Sequence, residues 1–333
     1  MAANHLKWYN QTLHQYLSNE EIKTLMQKSN WKGAFEIAHT WFWIVFAFAI
    51  VGLWPNPLTV LIALFILGGK QLACAIILHD CSHDSMFTSR TANRIIGNWF
   101  GAYPIFHDLE KYRPYHTQHH MHTGLDEDPD LPLAQGYPTT RISMVRKFFR
   151  DLFGPSGLKA NFGVLFMQLG LMKYALNGKA EWVSLKEKSA FEIIGTAAKN
   201  MAGPLAANLL MFSICWLIGK PWLYLLWPAA MLTTFNFSLR VRSMAEHSMV
   251  ADRTNPHKNT RTTYANFIER MLFAPHHVNY HAEHHLCMGA PSYNLPAMHK
   301  LLVERGYFKD GALESNYVTI VKRAILPSQQ AAL

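Results

Sequence analysis

Charge is scarce in this chain. Lys, Arg, Asp and Glu make up 16% of its 333 residues, where soluble domains carry about 25%. Cysteine is scarce too. The four, Cys74, Cys81, Cys215 and Cys287, form no Cys-x-x-Cys pair, so a zinc ribbon is excluded and a disulfide scaffold is not expected. Cys81 and Cys287 stand in or beside histidine clusters and read as reduced packing residues. No RNA- or DNA-binding signature accompanies the formal net charge of +9. The basic balance therefore points to an anionic membrane face or an acidic partner, not to nucleic acid. Residues 1–34 lack the short apolar core of a secretory signal. Also missing are a His-Pro-Gly-Gly cytochrome b5 motif, a Cys-x-His Rieske pair, and any flavin or nicotinamide fingerprint.

What the chain has in quantity is apolar sequence, 50% of residues. Four runs stand out: 35–54, 58–78, 202–219 and 221–239. Twenty helical residues span about 30 Å, the thickness of a bilayer core. Pro55-Asn56-Pro57 separates the first two runs and Lys220-Pro221 the last two, so each pair reads as an antiparallel hairpin. Asn93–Phe106 is shorter and broken by Gly97, Gly101 and Pro104. Asn161–Leu176 is short for a span; both stretches fit helices lying in the interface. Arg141 to Arg150 reads as a solvated or headgroup-facing basic stretch. Lys70, inside the second run, either faces a cavity or partner or snorkels to the interface. The expected fold is thus an all-α integral membrane protein. It has four transmembrane helices as two hairpins, interfacial helices, and a helical cytosolic cap from residue 248 onward. Residues 1–34 are expected to form a cytosolic arm near the membrane surface, 35–305 the main domain and 306–333 a tail.

The eighteen histidines are not scattered. His79-x-x-x-His83, His116-x-x-His119-His120 and His281-x-x-His284-His285 repeat one spacing. On helices, members at i, i+3 and i+4 share a face. Eight neutral imidazoles aimed at one place suit two transition metals, not one. A structural zinc needs only four ligands. No Glu-x-x-His motif accompanies the clusters, which argues against a soluble-type carboxylate di-iron site. Imidazole-bound iron above an apolar domain suggests oxygen activation and attack on an unactivated C–H bond of a long apolar chain.

With four spans, all three clusters fall on one side of the membrane. If Asn161–Leu176 also crossed, the third cluster would lie opposite the first, so a shared site requires that stretch not to cross. The hairpin tips carry only Lys220 while nearly all Lys and Arg lie on the histidine side, which makes that side cytoplasmic. The expected location is a bacterial inner membrane ahead of the endoplasmic reticulum.

The three clusters in this order resemble the histidine boxes of membrane fatty acid desaturases. The likeness extends to His79-Asp80-x-x-His83, Arg113-x-x-His116, His122-Thr123, Glu127-Asp128-Pro129-Asp130, Asn279-Tyr280-His281-x-Glu283-His284-His285 and Pro291-x-Tyr293-x-Leu295-Pro296-x-x-His299. It covers roughly residues 35 to 305. The resemblance implies a di-iron centre held by the eight box histidines, with O2 as co-substrate and a fatty acyl or lipid substrate. It also implies a ninth ligand at the end of the fourth span, usually in an Asn-x-x-x-His setting. His247 occupies that place, but the residue four before it is Ser243. Asp80, Asp128, Glu246, Glu283, Ser243 and Asn279 are candidates to orient the ligands, as are His107, His122, His276, His277 and His299. His5, His14, His39 and His257 are left unassigned. A separate electron donor is implied, a ferredoxin or a cytochrome b5-type protein with its reductase. The same boxes serve hydroxylases and carotenoid ketolases, and a smaller, more polar metabolite is another substrate class. From a different class, a membrane metal-binding or transport protein would place its metal ligands within the spans.

Overall fold

The structure, a computed structural model, describes residues 2–175, 181–184, 189–310 and 312–326. Leu176 and the last residues of the expected 306–333 tail lie outside the described residues.

The N-terminal residues are helical. α1 (Ala2–Tyr16) and α2 (Asn19–Leu25) meet at Ser18, which forms a capping box with Glu21. Their apolar faces, including Tyr9, Leu13 and Leu25, pack on Leu286, Leu302 and Tyr307 near the third histidine cluster. Burying that face is what holds the segment to the body of the protein. α3 (Asn30–Leu53) begins five residues before the expected start because Ser29 caps it. Asn56 caps the next helix through Leu58 and Thr59 backbone N–H groups, and Pro57 opens it.

That helix, α4 (Pro57–Ser82), is the axis of the fold. Its 26 residues extend about 39 Å, beyond a bilayer core of about 30 Å, so one uninterrupted element carries the second apolar run and His79. α3, α11, α12, α13 and α6 all pack against it. Two glycines permit this: a side chain at Gly68 would overlap Thr234, and one at Gly69 the carbonyl of Met271. Lys70 is 2% exposed, so it faces the interior and does not snorkel. Gln71 Nε2 donates to the Trp227 carbonyl at 2.8 Å.

α5 (Arg90–Ile96) leads into a π-helical turn (Gly97–Ala102) laid against α4, where Gly97 and Gly101 abut Cys81 and the Leu78 backbone. α6 (Leu109–His122) is capped by Asp108 and carries Pro114 in its second turn. α7 (Leu131–Ala134), α8 (Arg141–Leu152) and α9 (Pro155–Gln168) follow. α9 has 14 residues, about 21 Å of helix, and stops at Gln168. Leu171–Lys173 then pairs with Glu181–Val183 as antiparallel backbone. Asn161–Leu176 is therefore not one membrane-crossing helix.

α10 (Ala190–Leu217) starts twelve residues before the expected third span, at a capping box from Ser189 to Glu192. The expected fourth span is not one helix. A 3-10 turn (Pro221–Leu225), α11 (Leu226–Leu232) and α12 (Thr234–His247) divide it at Thr233. Thr233 leaves helical geometry, and its hydroxyl and the Asn236 amide bond the carbonyls of Ala229 and Met231 instead. Among the described residues, three helices are long and apolar enough to cross a membrane, α3, α4 and α10. The hairpin tips meet where the Lys220 ammonium donates to the Gly52 carbonyl.

The C-terminal part is a group of short helices around one strand pair. β1 (Arg261–Thr263) pairs in parallel with β2 (Ala312–Glu314). Around them lie α13 (Phe267–Leu272), α14 (His281–Leu286), α15 (Leu295–Glu304) and α16 (Tyr317–Arg323). Arg261, 2% exposed, donates to the carbonyls of Met244, Ala245, Ser248 and Met249. It thereby closes the C-terminal end of α12 and fixes the helix end that carries His247.

Candidate metal centre

Four helices deliver the nine histidines. His79 ends α4 and His83 caps it. His116, His119 and His120 lie in the last two turns of α6. His247 ends α12, and α14 carries His281, His284 and His285. Each cluster is helical, so its spacing turns the rings to one side, as the sequence pattern requires.

The rings converge as two groups. His79, His83, His116, His120 and His284 form one; His119, His247, His281 and His285 form the other. Within each group the ligand atoms lie within 4.8 Å of one another. The groups touch where the His120 and His285 rings stand 4.3 Å apart. Nε2 atoms face Nε2 atoms: His116 with His120 at 3.0 Å, His120 with His284 at 3.1 Å, His247 with His281 at 2.7 Å, and His281 with His285 at 3.1 Å. Nε2 of His79 and of His83 are buried without a hydrogen-bond partner. Two neutral rings cannot both present lone pairs across 3 Å without a cation or proton between them. Burial, reinforced by the neighbouring rings, pushes His116, His120, His281, His284 and His285 well below the usual histidine range, which favours the neutral, ligating form. An imidazole-only donor set, five against four and about equally enclosed, fits a pair of transition-metal ions.

On four of the rings, His79, His119, His247 and His285, Nδ1 meets an acceptor, which fixes the tautomer that leaves Nε2 free. His79 Nδ1 meets Asp80 at 2.7 Å and His119 Nδ1 meets Asp128 at 2.8 Å. His119 is the exception electrostatically: burial opposes its charge, but Asp128 outweighs it and raises the ring to about 9. His247 Nδ1 donates to the Asn259 carbonyl at 3.1 Å and His285 Nδ1 to the Thr123 hydroxyl at 3.3 Å. Thr123 stands four residues after His119 and bonds its carbonyl, a relation visible in sequence. Asn259 acts through backbone, so no side-chain pattern announces it.

The other expected partners sort differently. Glu246 accepts from Arg242 Nε at 2.6 Å and lies 3.5 Å from His281 Nδ1. Glu283 takes His299 Nδ1 at 2.5 Å and the Thr262 hydroxyl, not a ring of either group. Asn279 donates to the Thr263 carbonyl. The Ser243 hydroxyl turns back on its own helix to Leu239 O at 2.8 Å. His107 meets Tyr174, His276 meets Glu36 and Thr40, and His277 meets Arg270.

Two cavities flank the four-histidine group. One, of about 800 Å³, is lined by His116, His119, His247 and His281 among buried residues and reaches exposed ones on α8 and α9, Arg150 and Lys159 among them. The other, of about 650 Å³, reaches His119 and His247 from the cap side, past Asp128, Asp130 and Asn259. The lining of the first is mostly apolar and that of the second more evenly mixed.

Residues 52–315 match the family profile described as Fatty acid desaturase. The chain is 28% identical over 273 residues to dihydrorhizobitoxine desaturase of Bradyrhizobium elkanii, a match covering 79% of this chain and 72% of that protein. It is 28% identical over 253 residues to the sn-1 oleoyl-lipid 12-desaturase of Synechocystis, covering 71% and 66%. With the chloroplastic omega-6 fatty acid desaturase of Spinacia oleracea it shares 24% identity over 243 residues, covering 69% and 50%. Since the profile takes in all nine converging histidines and the helices that deliver them, the chain belongs to the fatty acid desaturase family.

Proposed function

We propose that this protein is an O2-dependent desaturase that introduces a C=C bond into a fatty acyl chain at a histidine-bound di-iron centre. The observation that carries this reading is the pair of converging histidine groups at the inner end of the 800 Å³ cavity. His79, His83, His116, His120 and His284 would hold one iron, and His119, His247, His281 and His285 the other. When bound, the iron pair supplies the oxidising power to take hydrogen from an unactivated C–H bond with O2. Two hydrogens leave neighbouring carbons, and O2 becomes two waters with two further electrons and two protons. Asp80, Asp128, Thr123 and the Asn259 carbonyl hold the ligand rings in register. The apolar wall of the cavity, which includes Leu78, Ile105 and Met231, orients the acyl chain and excludes water. The electrons come from a separate ferredoxin or cytochrome b5-type donor, steered by the basic cytosolic face.

The topology that supports this is four crossings, with the broken run from Pro221 through α12 acting as the fourth. Residues 35–305 then form the catalytic domain, with the histidines and the cap on the cytoplasmic side of a bacterial inner membrane. Expression in a host of known lipid profile tests the reading: a new double bond in its acyl chains is the expected outcome, and unchanged lipids despite an iron-loaded protein would refute it. A second reading, oxidation of a smaller polar metabolite, is favoured by Asp130, Arg242 and Glu246 lining the same cavity. One relative is named a dihydrorhizobitoxine desaturase and not a lipid desaturase. Product masses separate desaturation, a loss of two hydrogens, from hydroxylation or ketolation, a gain of oxygen.

A further inference from the structure

The 800 Å³ cavity has an outer end whose chemistry differs from its histidine end. Burial along its lining gives its direction: His119 and His281 are 2% exposed, while Arg150 and Lys159 stand open to the outside. The two cations come from α8 and α9 and are brought to one mouth by the sharp turn at Gly154, whose φ is +102°, a conformation glycine adopts freely. Their neighbours explain why they are available. Arg240, also on the cavity wall, is bound to Asp151 by two guanidinium bonds, and the Lys147 ammonium lies over the Tyr137 ring. Among the described residues, no ion pair or side-chain hydrogen bond engages Arg150 or Lys159.

The flanks of the mouth are apolar and outward-facing: Phe149 and Phe153 beside Arg150, Leu158 and Phe162 beside Lys159. A helix pair that exposes such a row beside cations lies in the lipid interface, with its cations at headgroup depth. An acyl chain entering there tail-first leaves its polar end at the rim. We infer that Arg150 and Lys159 form a phosphate-binding subsite, holding the phosphate of the glycerophospholipid whose acyl chain lies in the cavity. The guanidinium offers paired donors that match phosphate oxygens, and the ammonium adds a second charge from across the mouth. A neutral glycolipid presents no such anion. Acyl-coenzyme A shares the phosphate chemistry but not the membrane route. The subsite rests on the desaturase reading for its purpose, not for its binding.

The test uses full-length protein in neutral detergent, offered equal phosphatidylglycerol and monogalactosyldiacylglycerol with matched acyl chains, and native mass spectrometry of what it retains. Wild type should retain the phospholipid in excess. The double variant Arg150→Gln/Lys159→Gln should lose that preference by about ten-fold, the scale of one charge-assisted contact. Arg150→Lys/Lys159→Arg should restore most of it. Arg141→Gln/Arg146→Gln, on the same helix but off the cavity wall, should leave it intact. Equal retention of both lipids by wild type, or an equal loss in the off-cavity variant, would overturn the subsite. Dependence of oleoyl-coenzyme A binding alone on Arg150 and Lys159 would overturn the lipid as its source. Because binding is read without turnover, retained preference in a protein that desaturates nothing would count against the function and not against the subsite.

Discussion

His119 and His284 belong to different histidine groups, so their loss should be separable. His284→Ala should leave iron in the four-histidine group, and His119→Ala in the five-histidine group. Iron analysis should fall from about two per chain toward about one in each variant, with desaturation abolished in both. Full activity in either would refute the assignment. Asp128→Asn keeps the shape but removes the charge beside His119 Nδ1, and should weaken iron retention by about 10- to 100-fold. Glu283→Gln should do much less to iron, because Glu283 answers His299 and Thr262 and not a group ring; comparing iron content of the two variants checks this. At this scale the sequence is unusually legible. Helical periodicity alone carries the convergence of the box histidines, and adjacency suggested Asp80. Adjacency failed for Glu283, whose helix turns its carboxylate away from the rings. It could not reveal the Asn259 carbonyl, since every residue has one. Ser243 shows the limit of a motif: the position is right, but its hydroxyl is spent on the Leu239 carbonyl.

At the scale of elements, α9 decides whether one shared site is possible. A reporter at residue 184 and another after residue 326 should lie on the same side of the membrane, measured by labelling in intact cells. Opposite sides would break the shared site. The close crossing of α4 makes a second prediction. Gly69→Val forces a side chain into the Met271 carbonyl and should cost about 1–3 kcal/mol, read as a lower thermal midpoint in detergent. The apolar runs located α3, α4 and α10, because membrane-length hydrophobicity is a strong signal. α3 and α10 start five and twelve residues before their runs, α4 one. Ser29 and Ser189, polar caps outside the runs, set the true starts at Asn30 and Ala190. The break at Thr233 left no mark in hydropathy, because a helix interrupted by side-chain bonds to its own carbonyls has the same composition as one that is not.

For the whole molecule, the metals should act as a fold constraint as well as a chemical one. Nine enclosed imidazoles from four helices are poor company for one another without cations between them. Stripping iron with a chelator should lower the thermal midpoint, and returning ferrous iron should restore it, with a dependence on metal concentration that follows mass action. An apoprotein as stable as the holoprotein would contradict the two-group site. The N-terminus is held by similar enclosure: α1 and α2 are mixed in polarity, yet Tyr9, Leu13 and Leu25 are drawn onto Leu286, Leu302 and Tyr307.

The continuity of α4 has one more consequence. A single rigid rod runs from the Asn56 cap at one end to His79 and His83 at the other, while His116 and His120 ride on α6. A bilayer that thins or thickens shifts or tilts a crossing rod to match its own depth. His79 and His83 of the five-histidine group then move with the rod against partners on α6 and α14. A change in bilayer thickness would therefore reach the converging histidines first through α4, ahead of the shorter helices that carry their partners.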